Sequence, residues 1–151
     1  MSEYSSLYED FWELFFAPET FDSRFGSAHK SKNGNRGYAE FPERFDCGFR
    51  LVATLSGRND RLGAEFFSAS KMGRQFVSDN ANSSKSTTTR NGSATLWSVN
   101  KTDAKIEVLW QNAGLGNRAL WNVHHAWLKS VLTDLALTYS GQVREWEHSA
   151  K

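Results

Sequence analysis

The residues with the clearest chemical potential lie around one predicted hairpin, LVATLSGRNDRLGAEFF at residues 51–67. Its tip carries Arg58, Asp60 and Arg61, and Glu65 follows in the second apolar run. Two carboxylates and a lysine that converge on a hydrated cation would suit a metal-dependent nuclease. No lysine occurs at the expected spacing, because two phenylalanines follow Glu65 directly. We therefore expect Glu65 to be a solvent-facing sheet residue.

Basic residues are concentrated in two segments that contain no acid, residues 24–36 and residues 80–102. Flexible basic loops of this kind contact phosphate groups, and each neutralised phosphate makes binding more dependent on salt. The tip arginines are either part of a solvated turn or part of the same binding surface. The sequence predicts binding of DNA or RNA through the following residues: Lys30, Lys32, Arg36, Arg58, Arg61, Lys85 and Arg90.

Two tryptophans support a second function class, protein interaction. Trp12 lies off the main apolar stripe of the predicted first helix, and Trp146 lies beyond the predicted end of the last helix. Exposed tryptophans are favoured anchors of protein interfaces. The alternative function is therefore a protein interaction module, either a homodimer or a small inhibitor of a host defence protein.

The histidines His124 and His125 are adjacent, so on a helix their side chains point about 100° apart and cannot hold one ion from the same face. His124 falls on an apolar stripe and is predicted to be a core residue. No phosphate-binding loop or activated nucleophile is present in the sequence. We expect no cofactor, no metal and no complete catalytic motif, while a divergent nuclease acting through Asp60 and Glu65 stays a third hypothesis.

Composition and charge are those of an ordinary globular domain. The chain has 151 residues, of which 39% are hydrophobic, and a formal net charge of +1, so no strong overall field attracts nucleic acid or membranes. The single Cys47 indicates a reducing compartment, and no apolar run approaches the roughly 18 residues that span a bilayer. We expect one cytoplasmic domain over residues 1–151, with flexible loops near 22–37 and 80–93 and no membrane partner.

The N-terminal stretch SSLYEDFWELFF, residues 5–16, has the periodicity of an amphipathic helix. Ser6 and Glu9 have the spacing of a capping box, and Pro18 ends the pattern. The predicted apolar stripe comprises Leu7, Phe11, Leu14 and Phe15.

Strand patterns dominate the middle of the chain. Residues 38–41, 47–57, 61–70, 94–100 and 105–110 are predicted strand runs, and residues 71–80 form a short helix of one or two turns. A long helix is capped by Asn117 and ends before Gly141, with an apolar stripe of Leu120, His124, Trp127, Leu128, Val131 and Leu135. Because consecutive strands are joined by short turns, we predict an α+β fold of order α-β-β-β-α-β-β-α, with helices on an antiparallel sheet of about five strands.

Several of these features together resemble a family of bacterial and archaeal domains of unknown function. They are Phe11-Trp12 in the first helix, the hairpin at residues 49–67, Trp97, the strand KIEVLW, and the W-x5-WL pattern of Trp121, Trp127 and Leu128. Members of the family occur alone or at the C-terminal end of proteins whose front half resembles a restriction-endonuclease nuclease domain.

The sequence departs from that family after the hairpin, where members have a longer charged helix and this chain has the short KMGRQFVSDN and a Ser/Thr-rich stretch. The shared motifs are hydrophobic patterns, and the family offers no catalytic residues to carry over. The resemblance implies an accessory α+β module that operates near nucleic-acid processing or genome defence.

Overall fold

The structure is a computed structural model that describes residues 4–16, 37–81 and 88–149. The element order is the predicted one, three helices and five strands in the sequence α-β-β-β-α-β-β-α. The elements are α1 (Ser5–Phe15), β1 (Tyr38–Arg44), β2 (Phe49–Ser56), β3 (Arg61–Ser68), α2 (Lys71–Asn80), β4 (Leu96–Val99), β5 (Ala104–Trp110) and α3 (Trp121–Ser149).

The strands form one antiparallel sheet in the order β1-β2-β3-β5-β4, which confirms the predicted α+β class. β2 and β3 form the central hairpin, in which Ser56 is paired with Arg61. β1 continues through Pro42 to Arg44, beyond its predicted end at Phe41. This edge strand tolerates proline because only one of its sides needs a complete hydrogen-bond ladder.

The core lies between the sheet and the three helices, which pack on the same face. Phe15 of α1 contacts Phe41 of β1, with ring centroids 6.5 Å apart. Phe76 of α2 lies 5.9 Å from Phe49 of β2. Phe66 of β3 lies 6.3 Å from Tyr139 of α3 and stacks on Phe49. The strand alternation predicted for the inward-facing residues of β2 and β3 is confirmed, since all of them are buried: Phe49, Leu51, Ala53, Leu55, Leu62, Ala64 and Phe66.

The orientation of α1 differs from its predicted apolar stripe. Trp12 is only 1% exposed and packs edge-to-face against Phe11 and Phe15, whereas Leu14 is 52% exposed. Trp12 occupies the core in place of Leu14, because burying the larger apolar area of the indole ring stabilises the fold more than burying the leucine side chain would. The prediction of an exposed Trp12 is therefore wrong. The predicted capping box is wrong as well, since α1 begins at Ser5 after Tyr4 and has no side-chain cap.

α3 runs past its predicted end at Gly141 and reaches Ser149. Packing beyond the glycine sustains the helix, since Val143 is fully buried and Arg144 is ion-paired with Asp46 at 3.2 Å. The predicted cap, Asn117, caps a 3-10 turn over residues 118–120 that leads into α3. Leu120 therefore precedes the helix and is 40% exposed, although the sequence pattern predicted it to be part of the apolar stripe.

None of the helices in the described ranges combines the length and the apolarity that a bilayer span requires.

Candidate functional site

The tip of the β2–β3 hairpin is a tight turn over residues 57–60. The N–H of Asp60 donates to the carbonyl of Gly57 at 3.3 Å, and Asp60 has a left-handed backbone with φ of 49°. Aspartate tolerates this conformation better than most residues with a side chain. We call Arg58, Arg61 and this turn the tip surface.

The carboxylate of Asp60 ties the turn to the segment that precedes α3. It accepts hydrogen bonds from the N–H of Gly114 at 2.9 and 3.0 Å and from the N–H of Leu115 at 2.8 Å. The backbone carbonyl of Asp60 also accepts from the N–H of Ala113 at 2.9 Å. These contacts give Asp60 a structural role, which argues against its part in the nuclease hypothesis.

The beginning of α1 holds the same turn from another side. The N–H of Gly57 donates to the hydroxyl of Tyr8 at 3.0 Å. A Cβ atom at Gly57 would lie 2.3 Å from the ring of Tyr4, so only glycine fits this close approach. The turn is thus held by α1 and by the segment before α3, and Arg58 lies within it while Arg61 directly follows it.

Among the six other described arginines, Arg50, Arg118 and Arg144 have a carboxylate partner, whereas the two tip arginines have none among the described residues. Arg58 is exposed and Arg61 is half-buried, and within the described ranges neither forms an ion pair. By contrast, Arg118 lies 2.8 Å from Asp10. An unneutralised guanidinium on a fixed turn is available for a phosphate group.

Beside this tip lies Gly37, which follows the acid-free segment 24–36 in the sequence. Gly37 is the first described residue after it, and the carbonyl of Gly37 accepts a hydrogen bond from the N–H of Leu55 at 2.7 Å. Leu55 lies two residues before the turn. The predicted contact residues Lys30, Lys32, Arg36 and Lys85 lie outside the described residues.

Arg90 lies far from the tip surface. The backbone N–H of Arg90 donates to the hydroxyl of Thr138 at 2.9 Å. The end of α3 nearer to the tip surface contains His124, whose ring nitrogen lies 2.7 Å from the carbonyl oxygen of Ala113. The span from residue 124 to residue 138 corresponds to roughly 20 Å of helix. The structure therefore does not bring Arg90 together with Arg58 and Arg61.

Glu65 is not the solvent-facing residue that its position in an alternating strand predicted. It is 8% exposed and lies 3.4 Å from the ammonium of Lys105, which lies equally close to Glu107. Burial raises the pKa of Glu65, and the attraction of Lys105 offsets part of that rise. The lysine that was absent from the local sequence reaches Glu65 from the neighbouring strand β5.

This cluster lies on the outer face, the face of the sheet opposite the helices. A shallow depression of about 260 Å³ lies beside it, lined by Tyr38, Glu40, Val52, Thr54, Glu65 and Phe67. The basic residues Arg50 and Lys105 on this face each have an acidic partner: Arg50 is ion-paired with Glu40 at 3.2 Å, as Lys105 is with Glu65. In the part of the chain that the structure describes, no three His, Cys, Asp or Glu side chains converge as a metal-binding group. The outer face is thus an internally neutralised surface.

His124 is fully buried, as predicted, and His125 is only 7% exposed. The ring of His125 packs against Phe11 and Phe15 at centroid distances of 4.5 and 5.5 Å. Burial, together with repulsion from Lys129, lowers the pKa of His125 to about 4, although a hydrogen bond to the backbone of Phe11 opposes the shift. Both histidines are therefore parts of the core.

Trp146 lies within α3 and is half-buried. Its ring packs edge-to-face on Phe76 at 5.7 Å, and its N–H donates to the carboxylate of Asp79 at 3.2 Å. These contacts hold α2 against the end of α3. The prediction that Trp146 lies beyond the end of the last helix is wrong, and its contacts are those of a residue that joins two helices.

No family model, curated protein or solved structure matches the chain.

Proposed function

We propose that the protein is a non-catalytic, cytoplasmic binding module whose tip surface contacts the phosphate backbone of DNA or RNA. The observation that carries this proposal is the pair Arg58 and Arg61, which have no acidic partner among the described residues. Arg58 lies on a turn held from two sides, and Arg61 follows that turn as the first residue of β3. A fixed turn lets a guanidinium bind phosphate at a smaller cost in conformational entropy.

The basic residues that precede Gly37 in the sequence, within residues 24–36, support the same function. The carbonyl of Gly37 accepts a hydrogen bond from the N–H of Leu55, close to the end of β2 at the hairpin turn. The resemblance to the accessory-domain family supports a setting in nucleic-acid processing or genome defence. Contacts between arginine side chains and phosphate groups hold a protein on the nucleic-acid backbone without reading the bases. Binding is therefore expected to be largely independent of the base sequence.

Fluorescence anisotropy with labelled single- and double-stranded DNA and RNA tests the proposal. We expect binding at low salt whose logarithmic affinity falls linearly with the logarithm of salt concentration, with a slope of at least about two from the tip arginines alone. A duplex of scrambled sequence is the control and should bind equally well. The absence of binding at low salt, or an affinity that does not change with salt, would refute the proposal.

A further inference from the structure

An open depression of about 380 Å³ lies where the edge of the sheet meets α3. Two half-buried tryptophans form its aromatic part, Trp110 at the end of β5 and Trp127 in α3, with ring centroids 5.5 Å apart. Its lining holds no charged side chain, and its polar side chains are those of Ser93 and Gln111. We call this site the tryptophan depression. It combines aromatic surface with neutral hydrogen-bonding groups.

The depression exists because β4 is shorter than its neighbour β5. The ladder between the two strands ends at the pair Leu96–Glu107, whereas β5 continues to Trp110. Within the described ranges, no strand pairs with the last three residues of β5 on that side. Backbone N–H and C=O groups at such an unpaired edge stay available for hydrogen bonds.

The indole N–H groups distinguish Trp110 and Trp127 from other tryptophans of the chain. Trp121 donates its N–H to a backbone carbonyl at 2.9 Å, and Trp146 donates to a carboxylate at 3.2 Å. Trp110 and Trp127 donate to no acceptor in the described part of the chain, and neither N–H is a buried group that lacks a partner. Because a buried indole N–H normally has a partner, these two N–H groups reach the surface and can donate to a ligand.

The ring of Trp110 is held in position from behind. It meets the buried ring of His124 edge-to-face at 5.0 Å, and a ring nitrogen of His124 lies 2.7 Å from the carbonyl oxygen of Ala113. An aromatic surface that is fixed in this way binds a flat ring at a small cost in conformational entropy.

The tryptophan depression adjoins the tip surface. Trp110 pairs with Leu62 at the end of the ladder between β5 and β3. Arg61 precedes Leu62 and Gln111 follows Trp110, so both lie at the same end of two adjacent strands, whose spacing is about 5 Å. A phosphate bound at Arg61 therefore brings a base of the same chain to the depression.

We propose that the tryptophan depression binds a nucleobase of a single-stranded nucleic acid whose phosphate groups lie on the tip surface. This inference rests on the proposed function and adds that the partner is single-stranded. A base in a duplex is covered on both faces by its neighbours, so only an unstacked base can offer its face to Trp127. Stacking tolerates every base, because each has a flat aromatic face, while the Gln111 amide and the indole N–H groups donate to its polar edge.

A pair of single strands that differ only in their bases gives the sharpest test. One is a DNA strand of roughly 12 nucleotides, and the other is an abasic strand of the same length that keeps every phosphate charge. By fluorescence anisotropy, the wild-type chain should bind the first strand at least about fivefold more tightly. This ratio should be the same at low and at high salt, because stacking is not an ionic contact.

The outcomes of this comparison separate the two proposals. Equal affinities for the two strands would overturn the base site and leave phosphate binding at the tip surface standing. If neither strand binds at low salt, the proposed function fails and the base site fails with it.

Substitution of Trp127 locates the site. Trp127→Leu removes the stacking face, so the affinity ratio of the two strands should fall to about one while the affinity for the abasic strand stays unchanged. Trp127→Phe keeps a smaller ring and should retain an intermediate ratio. Trp146→Leu is the matched control, since Trp146 is a half-buried tryptophan of the same helix outside the depression, and it should keep the wild-type ratio.

The ratio of two affinities does not depend on the fraction of folded protein, so moderate loss of stability in a variant does not affect the test. Circular dichroism verifies that each variant is folded. If Trp127→Leu keeps the wild-type ratio, or if Trp146→Leu lowers it equally, the tryptophan depression is not the base site.

Discussion

Individual side chains show how far residue type alone can mislead. Glu65 alternates with buried residues and yet is itself buried, because Lys105 approaches from β5 at 3.4 Å. That partner is 40 positions away in the chain, and only the strand register brings the two together. Local spacing contains no information about such a pair, whereas the apolar stripe of α3 correctly predicted a buried His124.

The buried His125 should make the protein sensitive to acid. Its pKa of about 4 in the folded chain lies below that of the unfolded chain, so the unfolded state takes up the proton first as pH falls. The contribution of His125 to the free energy of unfolding is therefore fully present above about pH 6.5 and is lost as pH falls towards 4, by roughly 3 kcal/mol.

Urea unfolding at pH 7 and at pH 4.5 measures this loss. His125→Phe should reduce the difference between the two pH values, since a neutral ring occupies the aromatic cluster at both. His148→Phe, at an exposed position near the end of α3, is the control and should retain the wild-type difference. An unchanged pH dependence in His125→Phe would contradict the assignment.

Among the elements, the regular patterns were the most predictable part of the fold. The order of helices and strands and the inward face of the hairpin follow from hydrophobic periodicity, which acts over a few residues. The ends of helices depend on distant partners. α3 continues past Gly141 because Val143 and Trp146 find packing sites on other elements.

The link between the hairpin and the segment before α3 should be energetically significant. Asp60→Ala removes the acceptor for the N–H groups of Gly114 and Leu115 and places alanine at a φ of 49°. We expect the free energy of unfolding to fall by about 1–3 kcal/mol. Asp60→Asn, which keeps one acceptor oxygen and tolerates this backbone conformation, should lose less. Equal stabilities of both variants and the wild type would show that the carboxylate contacts are not significant.

For the whole molecule, the net charge of +1 conceals an uneven distribution of charge. On the outer face, cations and acids neutralise each other, as in the pair of Arg50 and Glu40. At the tip surface, the two arginines have no such partner among the described residues. The sequence identified these arginines as candidates, but it could not show that α1 and the segment before α3 fix the turn that carries them.

The most direct test of the tip surface compares two double variants of equal charge. In nucleic-acid binding measured by anisotropy over a range of salt, Arg58→Gln/Arg61→Gln should weaken affinity roughly tenfold and reduce the salt slope by about two. Lys71→Gln/Lys101→Gln removes the same charge from exposed positions outside the tip and should bind like the wild type. If the two double variants lose affinity equally, binding reflects net charge alone and the tip surface is not the binding site.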